Sequence, residues 1–415
     1  MRPSKRCGAW VFVIFTFITG FWTLSNGLAA EVRPVKVAIV DPLSGAYSRN
    51  GNLAVQGTKA MINWINDKGG IKSLGGAKLV PVVADNKSTV EGAANGMERV
   101  CRDPDVLIAQ PSWGSSFTMA ATEVTERLGI PSFSTGGSEK LHERGFKYGF
   151  YPCPGFLTQM RLGMPVMMEM FKSAGKELKT LFIASSNNVS DMLFCEGTQK
   201  YLEERGVKTV GKEVWPIGTL TDATPIMQKI KTTDPDIVIF GGSALAEAQM
   251  FIMKKKELNM KRTIFICSSG WMGDPSLSFG GEYMDSWFGF TPFFPNKRTP
   301  QEWITKTLEQ VRKEYANEPW IGLELSMGMN LVPVYAEALE RAASRDRSVI
   351  AETIRKMDLH DISATRNYAK NGVSFDETGR ISKKYEGVVI IQWQSSVCKV
   401  VYPDDLASAK PRVNF

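Results

Sequence analysis

Short apolar runs alternate along this chain with longer stretches in which apolar residues recur every three or four positions. Residues 35–40 (VKVAIV) predict a buried strand that runs into Asp41, Pro42, Leu43, Ser44 and Gly45. The next segment carries Ala54, Met61, Ile62 and Ile65 at helical spacing and stops at Gly69 and Gly70. Residues 77–84 then predict a strand, 91–101 a helix, 106–109 a strand, 117–128 a helix and 130–134 a further strand. A passage rich in Pro and Gly at 151–155 breaks the rhythm, which resumes with strands at 180–184, 207–215, 237–240 and 263–267 and helices at 191–205, 224–231 and 246–258. The chain crosses back at 287–291, forms amphipathic helices at 301–315 and 322–343, and ends in hairpin-like strands at 387–393 and 397–401. Such alternation predicts parallel sheets with helices on both faces. The fold class is α/β, in two Rossmann-like lobes whose architecture repeats while their sequence does not.

The length of 415 residues supports this division, because one core rarely serves so long a chain. The N-terminus stands apart. Arg2, Lys5 and Arg6 precede an apolar stretch at 9–24, and Gly27, Leu28, Ala29 and Ala30 offer small residues for cleavage. Residues 1–30 are therefore expected to be a cleavable export signal that sends the mature chain to the periplasm; the alternative, an uncleaved membrane anchor, is disfavoured because the apolar run is a little short for a span. The expected division is 31–153 plus 288–385 for the first lobe and 154–287 plus 386–415 for the second. Losing Arg2, Lys5 and Arg6 takes the formal charge from +7 to +4, too mild for a nucleic-acid surface, and Lys254, Lys255 and Lys256 read as a solvated helix face. Cys101, Cys153, Cys195, Cys267 and Cys398 remain, widely spaced and without a CxxC pair, so no metal site is expected. Their odd number leaves at least one thiol unpaired within the chain.

The candidate chemistry gathers at 106–140, where two successive strand ends are each followed by glycine and hydroxyl residues: Gly114, Ser115 and Ser116, then Gly136, Gly137 and Ser138. In open parallel sheets ligands sit beyond the carboxyl ends of the strands, and amides at helix starts hold negative groups there. Ser115 and Ser138 are thus candidates for gripping a small anion or carboxylate, although each could simply cap a helix. Trp113 and Trp271 could stack on a flat ligand. Asp191 and Asp274 could meet a cation but fit helix capping better, and Glu247 fits the first turn of its helix. An enzyme is not expected. Only His142 and His360 occur, neither GSS nor GGS forms a GxSxG elbow, and no GxGxxG or GxxxxGK[ST] is present.

The strand ending in PLSG with Gly51 beyond it, the Ser115 loop, the GIPSFS strand with its GGS loop, and the closing GVSFDETG together resemble the periplasmic binding proteins of the type I fold. The similar branch serves branched-chain amino acid and amide ABC transporters, and the resemblance covers about 35–403. It implies two lobes joined by a three-crossing hinge, a solute cleft, no catalysis, no cofactor, and delivery of the solute to a permease in the inner membrane. A monomer is expected. The resemblance puts the ligand carboxylate on Ser115 and Ser138 with the backbone of Gly136 beside them, Ser116 adding its amide and Tyr47 bordering the cleft. On the second lobe its positions fall at Ser190, Asp191, Ser243 and Trp271. The family's acidic grip on an ammonium has no counterpart before Asp274, its usual tyrosine is missing at Ser243, and Lys87 and Gly114 stand where some relatives have cysteines. The expected ligand is a small carboxylate-bearing solute: branched-chain amino acid-like, or an aromatic or aliphatic acid or amide. A ligand-sensing regulator on the same fold is the alternative, with a secreted hydrolase a distant third.

Overall fold

The computed structural model describes residues 1, 3, 8, 32–111, 113–242, 244–268 and 270–413. The expected export signal falls almost wholly outside them, as do Ser112, Ser243 and Ser269. The chain separates into Met1–Val32 and Arg33–Phe415, and the second unit holds every element. Among the described residues, no helix is long and apolar enough to cross a membrane.

The first half alternates as its pattern predicts: β1 (Val35–Asp41), α1 (Ser48–Asp67), β2 (Leu79–Asp85), α2 (Val90–Cys101), β3 (Val106–Gln110), α3 (Ser115–Arg127), β4 (Ser132–Phe133) and β5 (Gly149–Phe150). The strands pair in parallel in the order β2-β1-β3-β4-β5. The order reverses between β1 and β3, so their carboxyl ends open a crevice there. Val37, Ile39, Leu107 and Ile108 are fully or almost fully buried, as a sheet covered on both faces requires.

The second half follows with α4 (Phe156–Ser173), β6 (Thr180–Ser186), α5 (Val189–Glu203), β7 (Lys208–Trp215), α6 (Thr224–Thr233), β8 (Ile237–Gly241), α7 (Leu245–Glu257), β9 (Ile264–Cys267) and β10 (Trp287–Thr291). Then come α8 (Gln301–Val311), α9 (Leu323–Ala342), α10 (Arg347–Lys356), the short antiparallel pair β11 (Asp358–His360) and β12 (Gly372–Ser374), and the hairpin β13 (Val389–Gln394) and β14 (Val397–Tyr402). The second sheet has the order β14-β13-β10-β9-β8-β6-β7, parallel from β10 to β7 and antiparallel at the hairpin edge. Its own reversal, between β6 and β8, faces the same cleft.

Two expectations need correction. β10 pairs with β9 and β13 and so belongs to the second sheet; the return crossing follows Thr291 instead of lying at 287/288. Lys255 is not on a solvated face: it is fully buried, and its ammonium donates to the Tyr283 carbonyl (2.8 Å) and to Ser286 Oγ. The helical period of α7 sets it on one stripe with Ala248, Phe251 and Ile252, and burial holds its pKa well below the usual lysine value.

The sequence pattern also missed α4, whose Gly163 and Pro165 resemble breakers. Gly163 is there for proximity, since a β-carbon at this position would lie 2.9 Å from the Phe290 ring, and Pro165 sits on the exposed side of the helix. α1 and α9 pack even more tightly. A β-carbon on Gly57 would come 2.0 Å from the Leu325 carbonyl oxygen, and one on Gly328 would come 2.1 Å from that of Gly57. These helices touch backbone to backbone, which fixes where the first turn of α9 meets the cleft.

Candidate functional site

A cavity lies between the lobes, with about 550 Å³ of atom-free space counting its mouth. The first lobe contributes Trp113, Gly114, Ser115, Thr135, Gly136 and Gly137 from the loops after β3 and β4, and Leu323 and Met327 from α9. The second contributes Phe156 and Gln159 from α4 and Asn188 and Ser190 from the start of α5; Pro292 and Phe293 line it from the return crossing. Its walls are mostly rings and aliphatic chains with a few polar groups, and among the described residues no charged side chain lines it, the composition of a small-molecule site.

Four helices begin at this cavity: α3, α4, α5 and α9. Glu139 Oε1 accepts from the Thr158 amide at the start of α4 (2.8 Å), and α5 and α9 carry Asp191 and Glu324 in their first turns. α3 and α4 each lack a side-chain cap and an acid in their own first turn, but α4 has Glu139 at its start, and among the described residues α3 has no such carboxylate. Its leading amides have no intrahelical acceptor, so its positive end is the one left for a ligand. Gly114 precedes it at φ 90°, a left-handed conformation that favours glycine, and a β-carbon there would press on the Phe117 ring at 3.1 Å.

The structure brings Ser115 and Ser138 together: the Ser138 amide donates to Ser115 Oγ (3.1 Å). Ser115 lines the cavity, whereas Ser138 lies just behind it, fully buried, with its Oγ lacking a protein partner. Gly136 reaches the wall, but its amide is already given to Ser134 Oγ (2.9 Å). Ser116 donates to Asn188 Oδ1 across the cleft (3.0 Å), a direct link between the lobes. Trp113 forms part of the wall, and its amide donates to Asp41 Oδ1 (2.7 Å). Tyr47 backs this wall without lining it, its ring 5.5 Å from that of Trp113 and edge-on to Phe117.

On the second lobe, Ser190 lines the cavity and accepts from the Asn188 amide group (3.1 Å). Asp191 lies behind it, fully buried, accepting from Ser186 (2.9 Å), Asn188 (3.3 Å) and Ser268 (3.4 Å). Trp271 is removed from the cavity altogether. The turn at Gly270–Gly273 tucks its indole into the core of the second sheet, where it donates to the Gly242 carbonyl and meets Phe240 and Trp287. Asp274 pairs with Arg49, and Glu247 accepts from the Trp215 indole. His142 packs edge-on to Tyr151, His360 stacks on Tyr385, and neither lines the cavity. The five cysteines are buried free thiols. Sequence reasoning missed Thr135, Phe156, Gln159, Asn188, Pro292, Phe293, Leu323 and Met327. The Gly155–Phe156 boundary could have signalled two of them, as a helix start directly after a lobe crossing.

Burial shifts several acids near the cavity toward their neutral form. Burial pushes Asp41 up to about 8, Glu324 up to about 8 and Glu247 up to about 7, and it raises Glu139 as well. These shifts lessen the repulsion that Asp41, Glu324 and Glu247 would exert on an anion in the cavity. The linkage is checkable at Asp41. Between the ordinary carboxylate range and pH 8 the folded protein keeps a proton that the unfolded chain has released, so this group's contribution to stability falls as pH rises. Lys255 and His142, both depressed by burial, act in the opposite sense, so the measurable quantity is a difference between variants. Asp41→Asn keeps an oxygen acceptor for the Trp113 amide but cannot titrate. Urea melts should show Asp41→Asn gaining about 2 kcal/mol on the wild type between pH 6.5 and 8; a pH-independent difference would refute the assignment.

The family described as periplasmic binding protein matches residues 34–392. The chain belongs to that family. It is 24% identical over 406 residues to Leu/Ile/Val-binding protein homolog 7 of Brucella abortus (strain 2308), covering 94% of this chain and 96% of that one. Its fold is shared with the branched-chain amino acid transporter substrate binding protein LivJ from Streptococcus pneumoniae, solved in complex with isoleucine, at a TM-score of 0.71 and 18% identity over 89% of this chain and 100% of the other. A solute binding protein of an ABC transporter from R. palustris, in complex with benzoate, superposes at a TM-score of 0.72 and 13% identity, covering 92% and 98%. Periplasmic binding proteins of this kind are extracytoplasmic, bind small solutes for ABC transport and work with a membrane permease. The two lobes, the parallel sheets and the cleft between them are those of the type I periplasmic binding fold.

Proposed function

We propose that the protein captures a small, largely apolar carboxylate between its lobes and hands it to an ABC importer in the inner membrane. The observation that carries this reading is the cavity itself: an aromatic and aliphatic enclosure with no charged side chain on its wall among the described residues, into which α3 opens uncapped beside Ser115. The N-terminal basic and apolar stretch supports export to the periplasm. An α-amino acid would bring an ammonium that no acid on the wall can meet, and Asp191 behind it already serves three donors. An aromatic or aliphatic acid needs only the donors at α3. Micromolar binding requires about 8 kcal/mol, and two or three charge-assisted hydrogen bonds at roughly 1.5 to 3 kcal/mol each, with burial of an apolar body, reach it before association costs.

The reading is tested by thermal shift of the mature protein with aliphatic and aromatic carboxylates, their amides, leucine and valine. Apolar carboxylates should raise Tm; stabilisation by leucine or valine alone would overturn the reading. Ser115→Ala should weaken the best carboxylate about tenfold, the worth of one hydrogen bond to an anion. Unchanged affinity would remove the α3 terminus as its site.

A further inference from the structure

The side chain of Gln159 points to something more about the same solute, and the argument rests on the carboxylate reading above. Gln159 stands in the first turn of α4, lines the cavity and is only 2% exposed. Its Nε2 donates to the Pro154 carbonyl at 2.8 Å. A carbonyl oxygen can only accept, so this bond fixes which end of the amide is which. The other end, Oε1, is a buried acceptor without a protein partner. Three other polar side chains of the wall are already engaged: Ser115 Oγ accepts from the Ser138 amide, Asn188 bonds Ser116 and Ser190, and Ser190 accepts in turn; Thr135 is only half-buried. A buried acceptor left unpaired costs the folded protein a hydrogen bond, and such a cost in a cavity wall is relieved when a ligand donates to it.

We infer that the solute carries, apart from its carboxylate, a neutral hydrogen-bond donor, a hydroxyl or an amide N–H, that meets Gln159 Oε1. The donor must be a second group, because an ionised carboxylate only accepts. It must also be neutral: an ammonium at this wall would lose its water without a counter-charge, since among the described residues no ionised side chain lines the cavity. Gln159 is thus a specificity-determining residue. A site built to receive a hydroxyl discriminates against the analogue without one more strongly than an apolar pocket discriminates by size.

Calorimetric titration of the mature protein with two matched sets tests this: benzoate with the three monohydroxybenzoates, and isovalerate with 3-hydroxyisovalerate. In at least one set a hydroxylated member should bind tenfold or more tighter than its parent. Gln159→Met, of similar volume but with no amide oxygen, should reduce that preference to less than about threefold, the hydroxylated acid losing more affinity than its parent. A merely structural role for Gln159 would weaken parent and hydroxylated acids alike and would overturn the inference. So would parent and hydroxylated acids that bind the wild type equally, in which case the carboxylate reading would stand. Should Gln159→Met fail to fold, the wild-type preference alone decides. If no member of either set binds and leucine does, the carboxylate reading itself falls, and the inference with it.

Discussion

Arg49→Met should weaken solute binding ten- to a hundredfold without touching the cavity. Arg49 lies on α1 of the first lobe and grips Asp274 of the second through two bonds, Nε to Oδ2 (2.9 Å) and Nη2 to Oδ1 (2.8 Å), while Nη2 also reaches Glu318. Asp274 is 1% exposed and cannot turn to water when its partner is lost. Removing one partner of such a buried pair costs about 3 to 5 kcal/mol when burial is complete. The Arg49 side chain is 25% exposed, which lowers the expectation to about 2 kcal/mol. Because this pair joins the lobes, that cost falls on the closed arrangement, and the ligand must supply it on binding. Calorimetry would show the loss in Kd, and small-angle scattering would show the ligand-free variant more extended than the wild type. Arg49→Lys, which cannot form the two-pronged contact, should fall between. Equal affinities for all three proteins would mean that the pair does not report on closure.

Gly57→Ala should destabilise the protein, although propensity alone predicts the reverse. Alanine in the interior of α1 would gain about 1 kcal/mol over glycine. Against that stands a β-carbon 2.0 Å from the Leu325 carbonyl oxygen, which can retreat only if α9 moves as a whole. Overpacking of this kind costs about 1 to 3 kcal/mol, and a backbone contact belongs at the upper end, so a net loss of about 2 kcal/mol is expected. Thermal unfolding should fall by several degrees. Solute affinity should fall with it, because Leu323 and Met327 of α9 form part of the cavity wall. Gly328→Ala attacks the same contact, so the double variant should lose less than the sum of the two. A stabilised Gly57→Ala would show that α9 yields freely.

The parts of this protein that were legible in sequence are those where one periodicity dominates. The buried runs of β1, β3 and β8 and the periodic faces of α1 and α9 lie within a few residues of their expected places, because a sheet covered on both faces admits only apolar side chains. The pairing of Ser115 with Ser138 was legible too, since adjacent parallel strands bring their following loops together. What could not be read depends on contacts remote in sequence. α4 was not read at all, and nothing local reveals that its Pro165 faces solvent. Trp271 had the credentials of a ligand-stacking residue, yet its partners Phe240 and Trp287 lie on strands that only the folded sheet sets beside it. Gln159 carried no signal beyond the helix start that follows Gly155. Its meaning comes from a carbonyl at Pro154 and from an oxygen left over once that bond is made.

The central claim is that the uncapped start of α3, with Ser115 beside it, selects a negatively charged group at one end of an apolar solute. It is tested most directly by titrating the mature protein with a carboxylate and its primary amide, benzoate against benzamide or isovalerate against isovaleramide, at low and high salt. The carboxylate of the favoured pair should bind at least tenfold tighter. Equal binding of acid and amide, or binding of the amide alone, would contradict the account.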